Sequence, residues 1–365
     1  MRNKVLDILR GHYLVAILVD HLYRFPSLFE FYNGRGMLWV SAAEGFVFIS
    51  GYLLGVINSP KLDTHGFWHV AGKLLKRAIK LHMISVFFTV VYSLIGLNAG
   101  YYPTIGQSIK YTNFWEIVLN ALFLRYAYGW ADLLLLYVIL VALSPVIIYA
   151  VHRGFWYLVI FVSFTFWAGN LYFTDLPMIS GSVFPLLAWQ FMFVLGIVAS
   201  KYRYKLSEYY GKYFRANKKL PIYLLLVVVL ASLTLSVQDF YYGMFSGPVK
   251  DWLVFLFDKY KLGPGRIVLF FVWFTFLYLA THLFYKQIVK YFGWLYLVFG
   301  ENSLTTYIIQ SVVLFSWFYF PQYLIPGNFW TNTAVTAVVI LLVLLAVRIW
   351  ILVLRVIPGG GLDLK

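Results

Sequence analysis

Arg10 and His21 stand in one apolar run, LDILRGHYLVAILVDH, at an offset of eleven residues. At 100° per residue that offset returns to within about 20° of the same helical face. A rise of ~1.5 Å per residue sets His21 roughly 16 Å further along than Arg10. A cation at one end of such a stripe can grip an anionic group, and an imidazole deep in an apolar helix can take up a proton. Ionisable side chains are expensive in hydrocarbon and are functional candidates for that reason. Asp7, three residues before Arg10, is placed to pair with it, whereas Asp20 adjoins His21 on a different face.

A second charge interrupts SAAEGFVFISGY at Glu44. Counted from a helix start near Gly36, Glu44 lies about 12 Å below the outer rim, roughly the depth of His21. Ala42, Ala43, Gly45, Ser50, Gly51 and Gly55 let a neighbouring helix come close. Glu44 is therefore expected beside His21, where a carboxylate fixes the tautomer and raises the basicity of a general base. The bland alternative is a Glu–His hydrogen bond that locks two helices. By the same depth count Asp132, Gln190 and Gln310 border the outer half, while His82, His282 and Glu301 fall near inner ends. Arg125 is a plain ion-pair partner for Asp132.

The elements that must position these residues follow from composition. The 365-residue chain is 62% hydrophobic and 12% charged, with a mean hydropathy of +0.79. Runs such as 133–150, 222–237 and 334–347 carry no charge and approach the length needed to cross about 30 Å of hydrocarbon. The expected fold class is an all-α polytopic membrane protein of about ten transmembrane helices. The spans fall near 11–28, 36–57, 79–97, 132–150, 155–172, 184–200, 220–237, 266–285, 291–318 and 332–353. The first apolar stretch runs into Arg24-Phe25-Pro26, not a small-residue cleavage site, so the first helix is expected to be retained.

With both termini placed in the cytoplasm, the inner segments hold twenty of the Lys and Arg residues and the outer segments eight. That bias obeys the positive-inside rule. It also turns the net charge of +15 into a topology signal and argues against a nucleic-acid partner. Residues 114–124 are too short to span and are expected at the outer interface. Thirty tyrosines and thirteen tryptophans form interfacial belts, some of them able to line a sugar site. No repeat or linker divides the chain, so one domain over residues 1–365 is expected. Without cysteine there is neither a disulfide nor a thiolate metal site.

In order, LDILRG, VDH, AAEGFVFISGY, LYVILVALSP, PLLAWQFMFVLG and FGENSL resemble the OpgC-type family, within or beside the acyltransferase-3 superfamily of membrane acyltransferases. The resemblance covers about residues 5 to 310, and the Arg10-to-His21 spacing resembles the signature of the superfamily's first helix. It implies a ten-helix core in the bacterial inner membrane. It also implies an acyl-CoA donor, acetyl-CoA or succinyl-CoA, bound from the cytoplasm, and O-acylation of an extracytoplasmic glycan. His21 inherits the role of catalytic base and Arg10 that of donor contact.

The expected mechanism has Arg10, Arg77 and Lys80 hold the CoA phosphates. His21, oriented by Glu44 or Asp20, takes the proton of a sugar hydroxyl that attacks the thioester. Gln190 or the indole of Trp189 donates to the oxyanion, and Asp132 positions the sugar. No metal is expected. Two rivals remain: a proton-coupled transporter or flippase for a glycan or lipid-linked sugar, and a structural membrane subunit. HExxH, GxSxG and phosphate-loop motifs do not occur. The acyl group, the acceptor and the oligomeric state are not legible in the sequence.

Overall fold

The computed structural model describes residues 3–99, 109–172, 184–205, 208, 220–318 and 327–356. Among them the chain is helical, without a β-strand. The helices are α1 (Lys4–Leu22), α2 (Glu30–Asn33), α3 (Ala42–Ala99), α4 (Phe114–Leu122), α5 (Asp132–His152), α6 (Trp156–Tyr172), α7 (Leu186–Lys201), α8 (Leu220–Tyr242), α9 (Gly247–Phe257), α10 (Pro264–Leu283), α11 (Tyr285–Glu301), α12 (Ser303–Phe318) and α13 (Phe329–Val356). Among the described residues, five helical stretches are long and apolar enough to cross a membrane, in α3, α5, α8, α10 and α13, and α6, α7 and α12 are shorter apolar helices. Large apolar side chains point outward from the peripheral helices: Phe161 and Phe166 on α6, Leu224 and Val227 on α8, Leu341, Leu345 and Leu352 on α13. Water would penalise such exposure and lipid does not. The protein is a membrane protein.

Two compact units divide the chain: Met1–Phe46 with Tyr213–Asp258 and Pro264–Lys365, and Val47–Lys212 with Lys259–Gly263. In the first, α1 is the centre, packed against α10, α11, α12 and α13. Its approach to α11 is backbone to backbone. A Cβ on Gly11 would run into the Tyr296 carbonyl, and one on Gly300 into the Asp7 carbonyl. Small residues allow this contact where no hydrophobic drive operates between helices. In the second unit α5, α6 and α7 pack together. There Gly51 and Gly55 of α3 meet Phe193 and Ser200 of α7, and Gly196 meets the Phe48 carbonyl. The small-residue seam expected on this part of α3 is thus in use.

Four expected boundaries are corrected. The first span, expected at 11–28, is α1 at Lys4–Leu22, ended by Tyr23 in the left-handed region (φ 51°). The span expected at 36–57 begins only at Ala42. Residues 37–40 are turn and bend, after a short 3-10 turn, Gly34–Gly36. A depth counted in helical rise from Gly36 therefore does not hold for Glu44. The basic stretch 61–80, expected as a loop, is helical, broken within α3 at Gly66 (φ 75°, ψ 173°), a backbone conformation suited to glycine. Lys and Leu are good helix formers, and charge alone does not make a loop. The span expected at 291–318 is two helices, because the backbone leaves helical geometry at Asn302 (φ −119°, ψ 41°). Most of the basic stretch 209–219 and the loop segments 100–108 and 173–183 lie outside the described residues.

Candidate functional site

Asn3 starts α1: its Oδ1 accepts the Val5 N–H at 3.1 Å and the Leu6 N–H at 3.4 Å. From Leu6 to Leu22 every residue of this helix is buried except Arg10, His12, Asp20 and His21. A helix touching lipid would expose apolar side chains. This one keeps its partial exposure for four polar residues, Arg10 and His21 on one face, Asp20 to its side and His12 opposite.

Arg10 Nη2 donates to Ser303 Oγ at the start of α12, and its guanidinium lies 6.0 Å from the Phe46 ring. Beyond the end of α1, the Arg24 guanidinium lies 5.1 Å from the Trp317 ring near the end of α12. Between these contacts on α12 stands Gln310, 1% exposed. Neither its Oε1 nor its Nε2 has a hydrogen-bond partner among the described residues. An amide buried that way costs about 1–3 kcal/mol by protein mutational measures.

Asp20 is held by the chain that follows α1. Asn33 Nδ2 donates to Asp20 Oδ1, and Gly36, at φ +70°, packs on the same carboxylate. The turn is tied internally by Arg35 to Glu30 at 2.7 Å. Tyr32 reaches back to His12, its hydroxyl 2.6 Å from Nδ1, and the Tyr296 hydroxyl donates to that of Tyr32 at 3.3 Å. His12 and His21 are nine residues apart, so they project from opposite faces of α1.

Glu44 is fully buried, and both its oxygens are engaged. Oε1 pairs with Arg266 Nε, while Oε2 accepts the Ser41 N–H at 3.1 Å and the Ser41 hydroxyl. Ser41-Ala-Ala-Glu44 is a capping box, the N3 carboxylate reaching back to the N-cap amide. Arg266, 2% exposed, also donates to the Phe257 carbonyl at 3.3 Å. Next to Glu44, Gly45 lies on the Tyr13 ring and Phe46 faces Arg10. The start of α3 thus meets α1 at Arg10 and Tyr13, about 12 Å of helical rise short of His21.

The remaining candidates belong to the second unit. Arg77 and Lys80 share a face of α3 at a spacing of three and are partly exposed. Asp132 opens α5, 5% exposed, its Oδ1 accepting the Leu133 N–H at 2.6 Å, a favourable place for a carboxylate at a helix N-terminus. Trp189 is wholly buried, edge-on to Phe184 at 4.8 Å, with no partner for its Nε1 among the described residues. Gln190 is saturated. It accepts from Ser163 Oγ at 2.6 Å and donates to the carbonyls of Ser163 at 2.8 Å and Leu187 at 3.0 Å. That geometry fastens α6 to α7 and leaves neither amide proton for an oxyanion.

The family model described as OpgC protein matches residues 2–353, nearly the whole chain. The chain belongs to the OpgC family. No curated protein and no solved structure matches it. Membership in the OpgC family indicates a membrane glycan-modifying enzyme of acyltransferase type. Among the described residues of this OpgC-family chain, no group of three or more His, Asp or Glu gathers to hold a metal ion. Four residues around α1 escaped the sequence reading: His12, Tyr32, Arg266 and Ser303. His12 was visible as an ionisable residue within the first helix. Ser303 lay inside FGENSL without a role of its own, and Tyr32 and Arg266 had no local signal, since their partners are distant in sequence.

Proposed function

We propose that the protein is an integral-membrane O-acyltransferase that moves an acetyl- or succinyl-type group from cytoplasmic acyl-CoA to a hydroxyl of an extracytoplasmic glycan. The observation that carries this reading is α1, enclosed along its length yet partly exposed at Arg10 and His21, which share one face. Family membership supports the reaction class. Arg10 at one end of the stripe grips a donor phosphate, and His21 at the other is the general base. The imidazole removes the proton of the sugar hydroxyl as its oxygen bonds to the thioester carbonyl. The C–S bond then breaks, and the thiolate leaves with the proton the imidazole holds. Asp20, anchored by Asn33, stiffens the end of the helix that presents His21. With its oxygens committed to Arg266 and Ser41, Glu44 serves to fix the start of α3.

The test is thioester consumption by purified protein with a panel of acyl-CoAs and a glucan acceptor. Acceptor-dependent release of free CoA, lost in His21→Ala, is the expected result. No consumption of any acyl-CoA by the wild type overturns the reading. The proposed topology has both termini in the cytoplasm. In the cysteine-free chain, a thiol at Ser246 should react with an impermeant reagent on intact cells and one at Ser207 should not. The reverse pattern rejects the direction of transfer.

A further inference from the structure

Two contacts fix how α12 lies along α1. Ser303 meets Arg10 and Trp317 meets Arg24. Arg10 lies within α1 and Arg24 two residues past its end, so the two segments run in the same direction, with Ser303 level with Arg10. Ser303, Gln310 and Trp317 recur every seven residues, which keeps them within about 20° of one stripe per step. Gln310 therefore belongs to the face of α12 turned toward α1. It sits about 10 Å along from Ser303, level with residue 17 of α1 and roughly 6 Å short of His21. Its neighbours on α12 are closed off, with Thr306 and Leu314 wholly buried and Tyr307 3% exposed. At this point, between the cation and the imidazole, stands an amide whose oxygen and nitrogen both lack a partner among the described residues. A leucine would fill nearly the same volume without that penalty.

We infer that Gln310 binds the amide-bearing arm of the thioester donor, an inference that rests on the acyltransferase reading above. The chemistry matches in both directions. A secondary amide offers one N–H and one carbonyl, the complement of the glutamine's own carbonyl and NH2. The arm of a CoA thioester carries its nearest amide two methylenes from the sulfur, so a thioester carbon at His21 puts that amide on the Arg10 side of the reacting centre. Gln310 stands on that side. This contact is common to every acyl-CoA. It governs donor affinity and thioester placement and leaves the choice between acetyl and succinyl groups to other residues.

The experiment pairs two small donors with two proteins. One donor is an S-acyl-N-acetylcysteamine, which keeps the amide nearest the sulfur and lacks the phosphates; the other is the S-acyl ester of a plain alkanethiol of similar length. Wild type and Gln310→Leu are reconstituted in nanodiscs, and transfer to the glucan acceptor is measured with each donor. Thermal melting of both proteins without donor checks folding, and the leucine variant should melt no lower than wild type. Wild type is expected to favour the amide-bearing donor about tenfold in kcat/KM, the worth of one well-made buried hydrogen bond. In Gln310→Leu that preference should fall to about twofold or less, with the KM for the glucan unchanged. A preference that survives in the leucine variant, or a loss that appears in the glucan KM instead, overturns the assignment of Gln310 while the acyltransferase reading stands. If the wild type turns over neither these donors nor any acyl-CoA, the acyltransferase reading fails and takes this inference with it.

Discussion

Gln190 and Gln310 are the same side chain on two short apolar helices, in different units of the molecule, and they are treated in opposite ways. Gln190 on α7 has its carbonyl and both amide protons bonded, chiefly to Ser163 of the neighbouring α6. Gln310 on α12 is the more deeply buried and has no bond among the described residues. A polar group that satisfies itself against the next helix is adhesive, with a net worth of about 0.6–2 kcal/mol in membrane proteins. One left unsatisfied lowers stability and is explained by something other than folding. Depth alone therefore does not separate structural from chemical residues inside a membrane. The state of their hydrogen bonds does.

The largest expected effect is at His21, a part-exposed polar residue of α1 in the same unit as Gln310. His21→Ala should cut kcat by about 10²–10⁴-fold while leaving thermal stability and donor affinity close to wild type. Loss of stability in step with loss of rate would move His21 to the adhesive class. Glu44 is the next test, because it is a buried charge whose bonds are all made. Glu44→Gln leaves the Arg266 charge unpaired and should lower stability by about 3–5 kcal/mol. Glu44→Leu combined with Arg266→Met should recover much of that in a detergent melt. A Glu44→Gln protein that melts like wild type but turns over poorly would return this carboxylate to the chemistry.

Smaller still, Gln190→Leu should cost about 1 kcal/mol of stability, with the rate per folded molecule unchanged. A selective fall in kcat would break the comparison from the other side. The mildest change is Arg10→Lys, which keeps the charge and gives up the planar fork. It should raise the KM for acyl-CoA a few-fold with kcat nearly constant. An unaltered KM would reject the proposed donor contact at Arg10.

The Arg10–His21 stripe of the candidate site was legible because it lies on one helix. The Arg10-to-His21 spacing needs only the helical repeat, and the small residues of α3 needed only to be noticed. The capping box was legible too, as Ser41 and Glu44 three positions apart, but a depth argument claimed the glutamate first. Arg266 was not legible, since a partner 222 positions away leaves no local mark. Neither was the fate of the two glutamines, because a sequence gives a polar residue's depth and not whether its neighbours answer it. The helix through 61–80 was hidden for another reason. Charge was read as an end to helix, when in α3 the break is made by the backbone of a single glycine at position 66.

The Glu44–Arg266 pair also constrains the order in which the molecule can be made. Chains grow from the N-terminus at about 5–20 residues per second, so the arginine follows the glutamate by roughly 10 to 45 s. Throughout that interval Glu44 has left the ribosome without the cation that neutralises it. Ser41 is the partner already made, three residues upstream, and its amide and hydroxyl hold one oxygen while the other waits. The first turn of α3 thus gives Glu44 bonds of its own that do not depend on residue 266. Ser41→Ala keeps the amide and removes the hydroxyl, so it should show itself less in the finished protein than in its yield, as nascent chains that have not reached residue 266 hold Glu44 by one bond fewer.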